Sequence, residues 1–237
     1  MIKEALEYIV GLRKPELMEV NGQSYTDKAL YRVTHNPKAK QSICLRNLNS
    51  LVDYVKCGND FTGEPLFLHV VSPTVVELFS ALDVDRERES LVQVTSELPE
   101  FRFGEFMDHD AFCIALQSIF INNEDRETLT KFAGTVENGT VEQYSDDGIS
   151  QKATVKTGIA SKGDAIVPSP VKLRPYRTFL EVEQPESEFI FRMRNSGTGV
   201  QCALFEADGG AWRNQARENI YNYLVDRIKD EDVLIIA

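Results

Sequence analysis

Two carboxylates beside a pair of glycines, in the segment Glu206-Ala207-Asp208-Gly209-Gly210, have the residue types and spacing best suited to chemistry. The preceding run predicts a strand, and alternation along a strand places Glu206 and Asp208 on the same side. Carboxylates bind Mg²⁺ or Ca²⁺, and the glycines would let a ligand approach the backbone. The alternative is structural: Asp208 caps the following helix and the glycines form a tight turn. Because two carboxylates are too few for a metal site, the structural interpretation is favoured.

A group of arginines with one tyrosine forms the best candidate ligand-binding site. Alternation along the predicted strand 189–194 places Arg192 and Arg194 on one face and the apolar side chains on the other. Guanidinium groups bind phosphate oxygens in a bidentate manner, so this face could clamp a phosphate or a nucleotide. The members of the group are Arg174, Tyr176, Arg177, Arg192 and Arg194. The simpler interpretation is that these arginines pair with acids of their own fold or of a neighbouring subunit.

Other chemical motifs have weaker patterns. Asp83, Asp85 and Glu87 alternate like a cation-binding loop, but the glycine and terminal glutamate of an EF-hand are missing, which favours a solvated turn. His109 and Cys113 lie one helical turn apart and could share a metal or form a thiolate pair, although a helix core explains Cys113 equally well. No G-x-S-x-G motif is present, so the sequence predicts no serine-based triad. The sequence therefore predicts no catalytic residues.

The charge composition argues against a nucleic-acid partner. The 237 residues include 26 lysines and arginines against 37 aspartates and glutamates, a formal net charge of −11. Such a surface repels phosphate backbones unless a local basic stripe overrides the average, and no dense stripe is present. An acidic surface most often keeps a protein in solution. The less favoured alternative is a decoy of DNA.

The cysteines and the hydropathy pattern predict a cytoplasmic protein. The four cysteines lie far apart without C-x-x-C spacing, and the start M-I-K-E-A-L-E lacks the apolar core of a secretory signal. We therefore expect reduced, buried thiols. No apolar run approaches the roughly 20 residues needed to cross a membrane.

The order of predicted elements indicates an α+β protein with mainly antiparallel sheets and four to five helices. An Asn-Gly pair at 21–22 and an Asp-Gly pair at 147–148 each predict a hairpin. Asn47 or Asn49 and, later, Asp108 are suited to cap helices. Prolines at 168, 170 and 175 restrict that segment to edge or irregular extended structure. The C-terminal half is β-rich and ends in a long helix from Trp212 and a short strand.

A change of composition near Gly134–Gly139 marks the best candidate domain boundary. Residues 1–134 would form an N-terminal α+β part, and residues 135–237 a C-terminal β-rich part with the closing helix. The alternative is one continuous domain.

Six segments resemble a family of uncharacterised phage and prophage proteins, the YfdQ-like group. They are N-L-N-S-L-V-D-Y-V (47–55), E-F-R-F-G-E-F-M-D (100–108), T-V-E-Q-Y-S-D-D-G-I-S-Q (140–151), L-R-P-Y-R-T-F (173–179), V-E-Q-P-E-S-E-F-I-F-R-M-R (182–194) and C-A-L-F-E-A-D-G-G-A-W (202–212). The resemblance implies a phage or prophage origin and a cytoplasmic setting in the bacterial host. It implies no catalytic residues.

Together these patterns predict a non-enzymatic binding protein that forms a homo-oligomer or binds a host factor, with no resident cofactor. The apolar N-terminal helix, the long polar hairpin arms and the proline-rich edges suit contacts between subunits. A metal-dependent hydrolase acting on nucleotides or nucleic acid is the first alternative, with Mg²⁺ held by Glu206 and Asp208. An acidic decoy or a nucleotide sponge against host defence is the second.

Overall fold

A computed structural model describes residues 2–11, 15–20, 23–27, 38–61, 63–137, 141–146, 151–157, 161–166, 169–196 and 199–237. Its contacts divide the chain into two compact units, Met1–Lys38 and Ala39–Ala237. Helices and mainly antiparallel strands alternate irregularly along the chain, which confirms the predicted α+β class. The boundary predicted after residue 134 falls inside the second unit, where Phe112 and Phe191 pack with ring centres 5.4 Å apart.

The first unit consists of one helix and one hairpin. Helix α1 spans Ile2–Gly11, and strands β1 (Leu17–Val20) and β2 (Gln23–Thr26) pair antiparallel. The backbone N–H of Glu16 donates to the carboxylate of Asp27 at 2.7 Å and closes the open end of the hairpin. The predicted Asn-Gly turn lies outside the described residues.

The second unit contains four helices and twelve strands in the described residues. In chain order they are β3 (Ile43–Leu45), α2 (Leu48–Cys57), β4 (Leu66–Ser72), β5 (Val75–Ser80), β6 (Ser90–Thr95), β7 (Met107–Asp108), α3 (His109–Ile119), α4 (Glu124–Glu137), β8 (Val141–Asp146), β9 (Gln151–Thr157), β10 (Ser161–Ile166), β11 (Val171–Leu173), β12 (Ser187–Ser196), β13 (Gly199–Glu206), α5 (Trp212–Ile228) and β14 (Val233–Ile236).

A five-stranded sheet in the order β14-β4-β5-β6-β3 forms the first core with α2 and α5. Strands β4, β5 and β6 pair antiparallel, whereas the two outer strands β14 and β3 pair parallel to their neighbours. On α5, Ala216, Ile220, Leu224 and Ile228 recur every four residues and are buried, so this stripe of the helix faces the core. The predicted cap of α2 is confirmed, since Asn47 accepts a hydrogen bond from the backbone N–H of Ser50 at 2.8 Å.

A four-stranded sheet in the order β11-β12-β13-β7 forms the second core with α3 and α4. Its centre is aromatic: Phe112 of α3 stacks on Phe191 of β12, and Phe103 stacks on Phe189 at 5.1 Å. Asp108 caps α3 as predicted, accepting a hydrogen bond from the backbone N–H of Asp110. The short strand β11 lies at an edge of the sheet, as expected for a segment next to prolines.

The remaining strands form a three-stranded antiparallel sheet in the order β10-β9-β8. The antiparallel pairing of β8 with β9 confirms the predicted second hairpin, although its Asp-Gly turn lies outside the described residues.

The expectation that the cysteines are buried is correct only in part. All four thiols are free. Cys202 is buried and Cys113 is partly buried, but Cys44 and Cys57 are exposed, because Cys44 lies on the edge strand β3 and Cys57 ends α2.

Candidate functional site

The side chain of Arg177 joins the two predicted candidate sites. It belongs to the segment between β11 and β12, it is 9% exposed, and its guanidinium carbon lies 3.9 Å from the centre of the Trp212 ring. Its Nη1 donates to the carboxylate of Glu206 at 2.8 Å, and its Nη2 donates to the hydroxyl of Ser187. One predicted phosphate ligand is thus paired with one predicted metal ligand.

Asp208 belongs to the same network through Ser187. The Ser187 hydroxyl donates to Oδ2 of Asp208 at 2.6 Å, while Oδ1 accepts the backbone N–H of Gly210 at 2.9 Å. Burial raises the pKa of this carboxyl, but the hydrogen bonds from Ser187 and from the backbones of Gly210 and Trp212, with the charge of Arg177, outweigh it and lower the pKa overall. Asp208 therefore organises the turn before α5. The prediction that it caps the helix is wrong, because the N-cap position of α5 is Ala211, which makes no side-chain cap hydrogen bond.

Gly209 and Gly210 form that turn, and the guanidinium of Arg213 lies against Gly210. Gly209 and Gly210 have φ angles of 63° and 83°, a region that favours glycine. A Cβ atom added to Gly210 would collide with the Nη1 of Arg213. The predicted turn is confirmed, and a guanidinium of the same fold fills the position where a ligand would approach the backbone.

The charges of this cluster, which we call the Arg177 cluster (Arg177, Ser187, Glu206, Asp208, Trp212 and Arg213), compensate one another. Glu206 faces Arg177 with Oε1 and, at 3.9 Å, Arg213 with Oε2. The pKa of Arg177 is lowered to about 10. Burial is the main cause and the charge of Arg213 contributes, while the carboxylates of Glu206 and Asp208 limit the decrease. The guanidinium therefore stays charged at neutral pH. In the described residues, no group of three or more His, Cys, Asp or Glu side chains could hold a metal ion. The Mg²⁺ site stays a prediction.

Two donors in the Arg177 cluster lack hydrogen-bond partners among the described residues. They are the Nε of Arg177 and the indole nitrogen of Trp212, both buried. The stacking of the guanidinium on the indole and, at 5.6 Å, on Phe189 offsets part of the cost of burying these polar groups.

The other predicted arginines lie elsewhere. Arg174 forms ion pairs of 3.3 Å with both Glu183 and Glu186, so this arginine pairs with acids of its own fold. Tyr176, two residues along, donates its backbone N–H to the carbonyl oxygen of Ile119. Arg174 thus takes part in ion pairs, whereas the contact of Tyr176 is a backbone hydrogen bond.

Arg192 and Arg194 lie on the outer face of β12, as the alternation predicts. Arg194 lies over the ring of Phe106 at 4.1 Å and donates to Gln201 on β13. Arg192 donates to the carbonyl oxygen of Phe191 at 3.0 Å and to the hydroxyl of Ser169 at 3.4 Å. The phosphate or nucleotide site on this face stays a prediction.

His109 and Cys113 lie next to each other on α3. Nε2 of His109 lies 2.9 Å from the carbonyl oxygen of Ala133, which only accepts, so Nε2 carries the hydrogen. The Cys113 sulfur lies 3.6 Å from the same nitrogen, and the thiolate pair stays a prediction. In the loop 83–87, Oδ1 of Asp83 accepts the backbone N–H groups of Asp85 and Glu87. These hydrogen bonds are those of a turn, the interpretation that the sequence favours over a cation-binding loop.

Sequence reasoning missed the outer face of the five-stranded sheet, opposite α2 and α5. Phe67 and Phe79 stack there with ring centres 5.8 Å apart, and the guanidinium of Arg88 lies 5.4 and 5.0 Å from those centres. Leu234 and Ile236 of β14 lie on the same face and are 59% and 43% exposed. The alternation of Phe67 and His69 with buried leucines was the available signal, but the run also fitted a strand buried on both sides.

An open groove of about 610 Å³ lies where the end of β4 meets the first half of α5. His69 and Val71 line it from the strand, and Arg217 and Tyr221 line it from the helix. This groove could not be predicted from local sequence patterns, because the strand and helix residues that line it lie about 150 positions apart in the chain.

Comparison with protein-family models, curated proteins and solved structures finds no match to this chain. The YfdQ-like family therefore stays a prediction from the six segments. In the part of the chain that the structure describes, no helix has both the length and the apolar character needed to cross a membrane.

Proposed function

We propose that this chain is a non-enzymatic binding protein that associates with further copies of itself. We further propose a phage or prophage origin and a cytoplasmic location in the bacterial host, which the resemblance of six segments to the YfdQ-like family supports. One structural feature supports self-association: the apolar surface at the β14 edge of the five-stranded sheet.

This surface is made by side chains that point away from the helices. Leu234 and Ile236 lie outward on β14, and they continue into Phe67 and Val71 on the neighbouring strand. Val233 and Ile235, the alternate residues of β14, pack against the first core. Burial of apolar surface is the main driving force of association, and a contiguous exposed patch of this kind is typical of an interaction site.

The backbone of β14 supports the same proposal. The strand pairs with β4 on one side, and in the described residues no strand pairs with its other side. Its sequence V-L-I-I contains none of the charges or prolines that protect exposed edges. Such an edge accepts another strand through main-chain hydrogen bonds, and a second copy supplies an identical edge.

A binding role is further supported by how the candidate acids are used. Glu206 pairs with Arg177 and Arg213, and Asp208 accepts hydrogen bonds from Ser187 and from the turn before α5. These contacts stabilise the fold, so the side chains with the most suggestive spacing have a structural explanation.

Size-exclusion chromatography with light scattering tests self-association. At micromolar concentration we expect a mass of at least twice the 26.8 kDa of the chain. The substitution Leu234→Lys is expected to shift the protein to the monomer, because a charge at the interface would have to lose its water.

Ile114→Lys is the matched control, since Ile114 is also apolar and 66% exposed but lies on α3. This variant should keep the wild-type mass. A wild-type protein that elutes as a clean monomer at micromolar concentration would overturn the proposal.

A further inference from the structure

We propose that two copies pair their β14 strands antiparallel, so that the acidic segment 230–232 of each copy lies beside Arg217 of the other. This inference rests on the proposed self-association and names the surface and geometry of the contact. The charges at the two ends of the β14 edge support this pairing.

The starting end of the β14 edge is acidic. Asp230, Glu231 and Asp232 occupy the turn between α5 and β14, and the aspartates are exposed. In the described residues, no ion pair involves these three acids. The chain reverses in this turn, so β14 runs back along α5 and ends near the beginning of the helix.

The far end of the edge carries an arginine with a weakly satisfied guanidinium. Arg217 lines the groove at the end of β4, and its Nη1 donates to Asn214 at 3.3 Å. Among the described residues it forms no ion pair. The chain has a net charge of −11, so acidic residues that could pair with an arginine are abundant. The position of Arg217 in an open groove, without an ion pair to one of those acids in the described residues, therefore favours an acidic partner from outside the chain.

The groove offers further donors around Arg217. His69 and Tyr221 line it, and neither side chain makes a hydrogen bond to the described residues. Glu218 lies in the same lining and keeps the groove from being uniformly basic. The groove therefore fits a short acidic peptide segment approaching from the Arg217 side.

The charges select one of the two ways in which the edges can pair. Parallel pairing would place the acidic segments of both copies next to each other, which is unfavourable. Antiparallel pairing places the start of each β14 beside the end of the other, and the four-residue strand spans only about 13 Å. The acidic segment of one copy then reaches the Arg217 groove of its partner, and the two-fold symmetry forms this contact twice.

The apolar side chains agree with this arrangement. Residues opposite each other in an antiparallel pair share one face, so Leu234 and Ile236 of both copies form one continuous row. The result is a ten-stranded sheet with the helices of both copies on the same side.

A charge exchange tests the proposal. Arg217→Glu and the double variant Asp230→Lys, Asp232→Lys are each expected to weaken the homodimer by roughly tenfold or more, because each change acts at both symmetric contacts. Mixing the two variants should restore assembly to near the wild-type affinity, since both contacts of the mixed dimer pair opposite charges. Analytical ultracentrifugation measures all three, and thermal unfolding shows that each variant is folded.

Arg102→Glu is the matched control, because it reverses the same charge at a guanidinium that is 70% exposed and lies away from β14. Variants that dimerise as tightly as the wild type, or a mixture that stays weak, would overturn the β14 pairing while self-association stands. A monomeric wild type would instead overturn the proposed function itself.

Discussion

The guanidinium carbon of Arg177 lies 3.9 Å from the centre of the Trp212 ring, and this stack connects the two hydrophobic cores of the second unit. Trp212 begins α5, which packs in the first core, and Arg177 also contacts Phe189 of the second core. The following residues strengthen the link, since the Thr178 hydroxyl donates to the carbonyl oxygen of Pro73 at 2.6 Å. The segment from Arg177 to Ser187 thus holds one sheet against the other.

Arg177→Met is expected to lower the free energy of unfolding by about 3 kcal/mol, because it leaves Glu206 without its buried partner. Urea unfolding followed by fluorescence measures this change, and Trp212, the only tryptophan, reports from within the Arg177 cluster. The control Arg174→Met removes a more exposed guanidinium that pairs with two glutamates, so its cost should stay below about 1 kcal/mol. Equal costs for the two variants would contradict the structural role assigned to Arg177.

Asp208 gives the protein a stability contribution that depends on pH. Since its folded-state pKa lies below the unfolded value, the folded state binds fewer protons, and the contribution is complete above about pH 4. It is lost as the pH falls through the lowered pKa. Asp208→Asn should therefore be less stable than the wild type at neutral pH, and the difference should narrow in acid.

Urea unfolding at neutral and at acidic pH measures this difference. The control Asp226→Asn removes a carboxylate that is 80% exposed, and we expect it to leave stability nearly unchanged at both pH values. A gap between wild type and Asp208→Asn that widens in acid would show that the sign is wrong.

Local signals predicted the parts of the fold that depend on neighbouring residues. The caps at Asn47 and Asp108, the buried stripe of α5 and the Gly209-Gly210 turn each involve residues that lie no more than four positions from the next member, so the sequence alone indicates them. Contacts between residues that are far apart in the sequence could not be predicted from local signals. Arg177 could have paired with any of many acids, and only the folded chain brings Glu206, at the end of β13, to it.

The parallel strands show the same limit. β14 pairs with β4 and β3 with β6 across long separations, and short apolar runs do not reveal their partners. The groove and the contribution of β14 to the open sheet face depend on that pairing, so neither could be predicted.

A glutamate from a distant loop caps α2, and its removal should cost stability. Glu181 accepts the backbone N–H of Leu48 at 2.7 Å and that of Asn49 at 3.3 Å, across 133 residues of chain. A carboxylate at this end also interacts favourably with the helix dipole. Glu181→Ala should lower the free energy of unfolding by about 1 kcal/mol.

The control Glu183→Ala removes a carboxylate two residues away that is 74% exposed, and its effect should be smaller. Thermal unfolding of both variants in parallel gives the comparison. If Glu183→Ala lowers the stability more than Glu181→Ala does, the prediction is contradicted, because the cap would then contribute less than a surface ion pair.

The four thiols should react in an order set by exposure and pKa. Burial raises the pKa of Cys202 to about 12, with Cys113 and Asp108 adding to the effect, so its sulfur is both covered and protonated at neutral pH. The thiolate is the reactive form, and alkylation therefore requires access and deprotonation together. N-ethylmaleimide should modify the exposed Cys44 and Cys57 in the native protein and Cys202 only after unfolding. Peptide mass spectrometry over time measures the order. A Cys44→Ser, Cys57→Ser double variant should lose the fast phase, and rapid native labelling of Cys202 would mean that α3 does not cover β13 as the structure shows.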